Sequence, residues 1–366
     1  MGAFIVAFGM ILMIIIHEGG HFIAAKAFGM KATEAFFGFG PKLWSTTRGE
    51  TEYGVKAIPL GGYVRIIGMN MLEEVDPADE GRTYREKPFW QKSVVVLAGI
   101  GSHFIVAFFL MYAINVFWGV GTGEASLTIA TVSADFEGQE TPASVMGLET
   151  GDTVLAVNGT PVATWDEFVA EVRELPDQEA TLTIDRSGTE LDLTAPLLTR
   201  EVDGEPTGYV GVSPSELVEK SNPVVGLARA AGDVGTLTVA NVVGLKELVV
   251  NVPQILTSTV NNDSSGLEEV RPVSVIGLTR IGGQADMVTV VFLLAFVNIF
   301  VGVLNVVPLY PLDGGHFAVA LYEKIRGRAP DVRKLVPVAV LVFAFVVGLG
   351  LLGVYLDIVN PLELPQ

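Results

Sequence analysis

Fourteen consecutive uncharged residues, Ala3 to Ile16, run directly into His17-Glu18-Gly19-Gly20-His21. With the residues that follow to Ala25, the run is long enough to cross a bilayer core, which takes about 20 mainly apolar residues. In a helix, residues four apart share a face, so His17 and His21 can offer two imidazole nitrogens to one metal ion. Glu18 stands beside that face, where a carboxylate can hold or deprotonate a water. At about 1.5 Å of rise per residue, the motif lies roughly 20–25 Å into the helix. The segment has no basic n-region, and cleavage after it would remove the histidines, so it is expected to stay as a helix rather than leave as a signal peptide.

Three more segments have the length and apolarity of a membrane span: Ser93–Trp118, Met287–Val307 and Leu335–Leu356. Half the residues are hydrophobic and the mean hydropathy is +0.48, too apolar for an ordinary soluble protein of 366 residues. The net charge of −18 is unevenly placed. Residues 119–285 hold 25 of the 41 acidic residues and 8 of the 23 basic ones, whereas 31–92 hold nine basic residues and 310–334 hold five. By the positive-inside rule the two basic stretches face the cytoplasm, the acidic middle and both termini face outward, and the histidine motif falls toward the cytoplasmic leaflet. An acidic excess also solubilises a surface domain, which is compatible with this orientation. The absence of cysteine excludes disulfides, cysteine metal ligands and a cysteine nucleophile. With four histidines in all, any histidine metal site draws on His17, His21, His103 and His316.

Between the first two spans, residues 35–68 alternate and are punctuated by glycine and proline, the pattern of short strands and hairpins; Ile58-Pro59-Leu60-Gly61-Gly62-Tyr63-Val64-Arg65 reads as a strand broken by a glycine pair. Such a sheet can enter a bilayer only where protein or a cavity satisfies its backbone. Glu73–Lys87 reads as a charged, flexible loop. Residues 122–213 read as a small extracytoplasmic α/β domain, with strands Ser126–Val132, Thr153–Val157, Ala180–Asp185 and Glu190–Ala195 around one helix, Thr164–Glu174, capped by Thr164 with Glu167. The run from Thr141 through Gly147-Leu148, Gly151-Asp152 and Asn158-Gly159 resembles a PDZ domain, a module that takes an extended peptide as an added strand. Residues 214–286 are expected to be a linker with helices Val224–Ala231 and Thr236–Val250 on the outer membrane surface, since Lys246 and Glu247 interrupt a fifth span. The expected fold is thus membrane α-helical: residues 1–118 with two spans, the metal motif and a membrane-associated β-hairpin region; an inserted PDZ-like domain, 122–213; surface helices, 214–286; and two last spans, 287–366.

Two histidines leave a catalytic metal site one ligand short. Asp313 is the candidate third, in Asn305-Val306-Val307-Pro308-Leu309-Tyr310-Pro311-Leu312-Asp313-Gly314-Gly315-His316. The prolines end the third span and the glycine pair permits a tight turn, which holds a carboxylate at membrane depth, where it needs a cation. On spacing alone, Asp313 is equally an ordinary cap of the next helix outside the bilayer.

The order of these motifs carries a resemblance. His-Glu-x-x-His on the first helix, Pro-Leu-Gly-Gly-Tyr-Val after it, a PDZ insert and Asn-x-x-Pro-x-x-Pro-Leu-Asp-Gly-Gly on a later helix are together similar to the bacterial site-2 proteases, intramembrane zinc metalloproteases of the sigma-factor-activating type. The resemblance covers nearly the whole chain. It implies one Zn2+ per chain held by His17, His21 and Asp313, and Glu18 as the catalytic base. It implies that Asn305 binds the substrate backbone or the developing oxyanion, and that Gly61, Gly62 and Tyr63 lie in a membrane-associated hairpin that pairs with an unwound substrate strand. The implied activity is cleavage within or next to the membrane segments of single-pass proteins, such as anti-sigma factors and signal-peptide remnants, after an upstream site-1 type protease, in the bacterial cytoplasmic membrane; no nucleic acid is implied. The chain departs from the family at Ala98-Gly99-Ile100-Gly101-Ser102-His103, where Ala-Gly-Pro-x-x-Asn is usual. His103 either takes over the asparagine's hydrogen bonds, reaches the active site, or is satisfied by helix contacts; His316 is expected to support the site without ligating.

The competing reading is a membrane receptor or scaffold with a structural zinc and a peptide-binding PDZ domain; a structural site has no use for Glu18. A membrane protease trimming soluble tails is disfavoured by the Leu-Asp-Gly-Gly segment and the PDZ insert. A metal transporter would carry polar ligands along a path rather than at one site. The PDZ-like domain either binds a new carboxy-terminus or filters substrates by size, and the lack of a clear Gly-Leu-Gly-Phe-type loop favours the filter.

Overall fold

Four of the helices in the computed structural model follow the expected spans: α1 (Gly2–Ala27), α2 (Phe89–Ala113, continued by a π turn, Ile114–Trp118), α7 (Met287–Val306) and α9 (Val336–Val359). The structure describes residues 1–70, 73–202, 204–261, 271–328 and 330–361. It divides into two compact units, Gly119–Lys220 and the remainder.

In the helical unit, α1 and α2 are antiparallel. The start of α1 meets the end of α2 through Val6, Met10 and Leu110, and its end meets the start of α2 through Gly20 and Ala98. Helix α7 is parallel to α1, with Val6 beside Val290 and Leu294. A short helix, α6 (Val275–Gln284), abuts the start of α1 at Gly2 and Val6 and the end of α9 at Asp357. Asp357 is almost fully buried; it accepts from Arg271, equally buried, at 2.6 Å and from the Ser274 amide at 2.7 Å. The starts of α1 and α7 and the ends of α2 and α9 therefore share one end of the bundle.

The expected pair of surface helices is instead one 39-residue helix, α5 (Pro223–Asn261). Asn222 caps it by accepting from the Val224 and Val225 amides. The gap between the two expected helices, residues 232–235, is helical; there Asn115 donates to Asp233 at 2.7 Å, and Ala230 packs fully buried beside α2. By length and composition α5 is a fifth helix able to cross a membrane, beside α1, α2, α7 and α9. Its contacts run otherwise. Gly226 lies against Tyr112 and Val116 at the end of α2, and Ile255 packs on Leu356 at the end of α9. Both ends of α5 thus meet the same end of the bundle, the end where α1 begins, which a helix passing straight through could not do.

Strands β1 (Ala32–Arg48) and β2 (Thr51–Ile66) are bent so that each pairs twice. Ala35 faces both Tyr53 and Val64, and Tyr53 faces both Ala35 and Thr46. The result is four runs in the order 42–48, 51–58, 32–39, 62–66, with Gly62–Ile66 at an edge. The charged stretch expected as a flexible loop is tied down: Glu73 binds Arg65 at 2.7 Å and the Gly68 amide, Glu80 binds Arg85, and Thr83 and Tyr84 are buried.

The second unit is a sheet in the order β12-β3-β6-β8-β9, formed by β3 (Val120–Val132), β6 (Thr153–Val157), β8 (Glu179–Arg186), β9 (Thr189–Pro196) and β12 (Val212–Glu219), with β7 (Thr160–Pro161) on β6. Two small hairpins, β4 (Asp135–Phe136) with β5 (Gln139–Glu140) and β10 (Leu198–Val202) with β11 (Glu205–Tyr209), and two helices, α3 (Pro142–Met146) and α4 (Trp165–Arg173), complete it. Ile129, Val154, Phe168, Leu182 and Ile184 fill its core. Thr164 caps α4, accepting from the Glu167 amide, and the Glu167 carboxylate reaches back to the Ala163 amide. The unit runs past the expected limits of 122 and 213, because β12 pairs with β3 from Val132 back to Val120.

Candidate active site

Helix α1 is long, straight in its apolar pattern and closed at its end by packing on α2, so the i and i+4 positions His17 and His21 turn to one side. Their rings stand edge to face, 4.7 Å apart. Asp313 arrives from 292 residues further along the chain. It is the first residue of α8 (Asp313–Arg326), which starts hard against the end of α7: a Cβ on Gly314 would lie 2.3 Å from the Val306 carbonyl oxygen, so only glycine permits this approach. The other end of α8 is anchored by Glu323, which accepts from the buried Lys92 of α2 at 2.7 Å.

Asp313 Oδ2 lies 3.2 Å from His21 Nε2 and 3.4 Å from His17 Nε2. Among the described residues these three form a group whose donor atoms all lie within 4.8 Å of one another. Two donors each about 2.0–2.1 Å from a tetrahedral zinc ion stand roughly 3.3 Å apart, so the spacing is that of a metal site. It is long for a charge-assisted hydrogen bond, about 2.7–2.9 Å. Tautomers point the same way. His21 Nδ1 donates to the Val95 carbonyl at 2.8 Å, so the neutral ring turns the Nε2 lone pair toward a carboxylate oxygen. That arrangement is repulsive unless a cation lies between them. The two imidazoles and the carboxylate therefore fit a metal ion.

Glu18 faces away from α2, toward the sheet. Its side chain lines a cavity of about 400 Å3 between α1 and the sheet, with Ile14, Phe22, Phe36, Trp44 and Tyr53 as its apolar walls. Gly62 forms part of the floor; a Cβ there would lie 3.3 Å from Glu18 Cγ and 3.2 Å from Ile14. The edge run Gly62–Ile66 thus passes directly beside the carboxylate. Gly61 has φ of 116°, a conformation that favours glycine, and sits under the Phe39 ring. Tyr63 stacks on Phe36 and Phe39, and its hydroxyl donates to Glu34 and accepts from Lys56. A second cavity, of about 630 Å3, shares Tyr63 and Val64 with the first but is polar, lined by Arg65, Asn70, Glu73, Glu74 and His316.

Asn305 is half-buried in the last turn of α7, outside the three-donor group. His316 is one turn along α8 from Asp313, with its ring on Tyr310. His103 is buried and its ring lies on that of His17, 4.7 Å away, so this histidine does reach the site. Two contributors escaped the sequence reading. The Val95 carbonyl orients His21, and no residue type announces a carbonyl. Gly99 underlies the His21 ring, and its only signal was its place beside the altered motif.

Residues 3–349 match the family Peptidase family M50. The chain is 33% identical over 404 residues to the zinc metalloprotease Rip1 of Mycobacterium tuberculosis, covering all of this chain and 99% of that one. Rip1 of Mycolicibacterium smegmatis is 33% identical over 406 residues with the same coverage. The zinc metalloprotease RasP of Shouchella clausii is 26% identical over 442 residues, covering 97% of this chain and 98% of that one. The solved PDZ domain of an SdrC-like protein from Listeria monocytogenes aligns with 26% of this chain and 93% of its own length, at 16% identity and a TM-score of 0.21.

Proposed function

The chain belongs to peptidase family M50, and from that premise we propose that this zinc metalloprotease cuts single-pass proteins within or beside their membrane-spanning segments. His17, His21 and Asp313 would hold the one zinc ion. Zinc, when bound, supplies Lewis acidity that polarises the scissile carbonyl and acidifies water. Glu18 takes the proton from the attacking water and returns it to the leaving nitrogen. The Asn305 amide donates to the substrate backbone or to the oxyanion as it develops.

A membrane-spanning substrate hides its carbonyls in helical hydrogen bonds, so it must unwind before attack. The Gly62–Ile66 edge offers replacement backbone partners beside Glu18, and the apolar cavity accepts the side chains of the unwound strand. The second cavity, which shares Tyr63 and Val64 with the first, is the proposed route for water. Two separate approaches let one carboxylate meet both reactants.

By the positive-inside rule the basic stretches support an orientation with the end of the bundle where α1 begins on the outer side of a bacterial cytoplasmic membrane and His17, His21 and Asp313 toward the inner leaflet. In that orientation α5 lies across the outer face and the PDZ-like unit is extracytoplasmic. The unit acts as a size filter, so substrates such as anti-sigma factors become accessible after an upstream protease trims their outer domains. A folded ectodomain fused to a good substrate then blocks cleavage, and deletion of residues 122–213 relieves the block.

The observation that carries this reading is the convergence of two Nε2 atoms and one carboxylate oxygen beside a glutamate that opens on an apolar cavity. Its test is cleavage of a single-pass substrate co-reconstituted in liposomes, with the cut mapped by mass spectrometry. The expected cut lies within or next to the membrane segment, stops with a chelator and returns with zinc. Cleavage that survives chelation, or falls only in soluble tails, would sink the proposal.

A further inference from the structure

Ligation through Nε2 leaves each histidine with an Nδ1–H that needs an acceptor. His21 has one in the Val95 carbonyl. For His17 the acceptor is incomplete: its Nδ1 is buried and makes no well-formed hydrogen bond among the described residues, and the Gly99 carbonyl beside it already accepts from Ser102 Oγ at 2.7 Å. Against the His17 ring lies His103, inclined by 29° and 2% exposed. His103 Nδ1 is 3.4 Å from Asn298 Oδ1. The orientation of that amide is fixed, because Asn298 Nδ2 donates to the Leu294 carbonyl at 2.8 Å. Oδ1 can only accept, so His103 Nδ1 carries the proton and His103 Nε2 is left as a lone pair. That lone pair is also buried and unpartnered.

A buried donor and a buried acceptor, both unsatisfied, thus sit on two rings in contact. The rings are too nearly parallel for an N–H in one plane to aim at a lone pair in the other. We propose that one buried water joins them, accepting from His17 Nδ1–H and donating to His103 Nε2, so that His103, set by Asn298, is a positioning residue for the metal ligand His17. The water has two polar partners to hold it, the His17 Nδ1–H and the His103 Nε2 lone pair. His103 does for His17 what the Val95 carbonyl does for His21. Asn298 fixes the tautomer that makes His103 an acceptor.

The inference rests on the reading that His17, His21 and Asp313 bind zinc, and the experiment separates the two. Full-length protein in detergent is titrated with zinc against a competing chelator, and with cobalt, whose visible spectrum reports ligand geometry. His103→Leu is expected to weaken zinc binding roughly 10–100-fold and to shift the cobalt spectrum, while His103→Gln, which keeps an acceptor, recovers most of the affinity. Asn298→Ser leaves His103 in place without its fixing partner and should weaken zinc as well, with the double variant less than additive. Thermal melts identify any variant that has lost its fold, and the Asn298 variant carries the test if His103→Leu has. Wild-type protein that binds no zinc removes the metal-site reading itself. Wild-type binding with unchanged affinity in His103→Leu and Asn298→Ser overturns this inference alone, and so does a loss that His103→Gln fails to relieve.

Discussion

Gly99 lies so close beneath His21 that a Cβ built on it would stand 2.1 Å from His21 Nε2, the nitrogen that faces Asp313. Backbone of α2 therefore occupies the place where any other residue would put a carbon against the imidazole. Gly99→Ala is expected to push the His21 ring off its Val95 hydrogen bond and lower zinc affinity by at least about 10-fold. Zinc stoichiometry after dialysis checks this, and full zinc retention would show that the helices separate freely enough to admit a methyl group.

Glu18 is not in the three-donor group, so its loss should separate chemistry from metal binding. Glu18→Gln is expected to keep one zinc per chain and to lower the cleavage rate by about 10²–10⁴ or more, the range for a lost general base. Metal loss in this variant would place Glu18 among the ligands instead.

Gly62 bounds the apolar cavity beside Glu18. Gly62→Leu would fill part of that space and crowd Glu18 and Ile14. Zinc content should stay at one per chain while cleavage falls, and substrates with small residues at the cut should suffer least. A uniform loss with all substrates would argue that the cavity does not receive substrate side chains.

Arg271 and Asp357 are both almost completely buried, 2.6 Å apart, where α6 meets α9. Removing one partner strands the other charge, so Asp357→Asn is expected to destabilise by about 3–5 kcal/mol. Replacing both, Arg271→Met with Asp357→Leu, should recover only part of that loss, because the buried Ser274 and Gly277 amides then lose their acceptor. Thermal or denaturant unfolding in detergent gives the comparison.

In the Gly119–Lys220 unit, Arg186 grips the buried Asp152 with two hydrogen bonds, 2.8 and 2.7 Å, and holds its carboxyl below the usual carboxylate range. Since the folded value is the lower one, the stabilisation is fully present above the unfolded value of about 4 and is lost as pH falls through the folded value. Circular dichroism melts of residues 119–220 from pH 6 to 2 should show this acid loss, and Asp152→Asn should flatten it. Equal acid sensitivity in the variant would trace it to other carboxylates.

At the hairpin end, Glu50 is held to about 2 chiefly by Arg82 and then by Lys26, so that cluster stays charged until the acid end of that range. It is one of several contacts that a linear reading does not contain. The sequence pattern did contain the spans of α1, α2, α7 and α9, because about 20 apolar residues without charge leave a chain few alternatives to a helix in lipid. It contained the cap of α4, because Thr164 and Glu167 are three residues apart and their bonds are local. It split α5 at residues 232–235, where the partner of Asp233, Asn115, is 118 residues away.

The site divides in the same manner. The shared face of His17 and His21 and the adjacent position of Glu18 follow from helix geometry alone, and with them the expectation of a common metal ion. Asp313 had two equal roles on spacing, cap or ligand; the structure makes it the first residue of α8 and puts its carboxylate 3.2 Å from His21. That Gly99 underlies a ligand, that His103 lies on His17, and that Gly62–Ile66 is a sheet edge beside Glu18 were decided only by the tertiary structure. Helical and strand periodicities fix neighbours within a few residues. Which faces meet across tens or hundreds of residues is set by how helices and strands pack, and in this chain that packing brings the Asp313 carboxylate to His17 and His21.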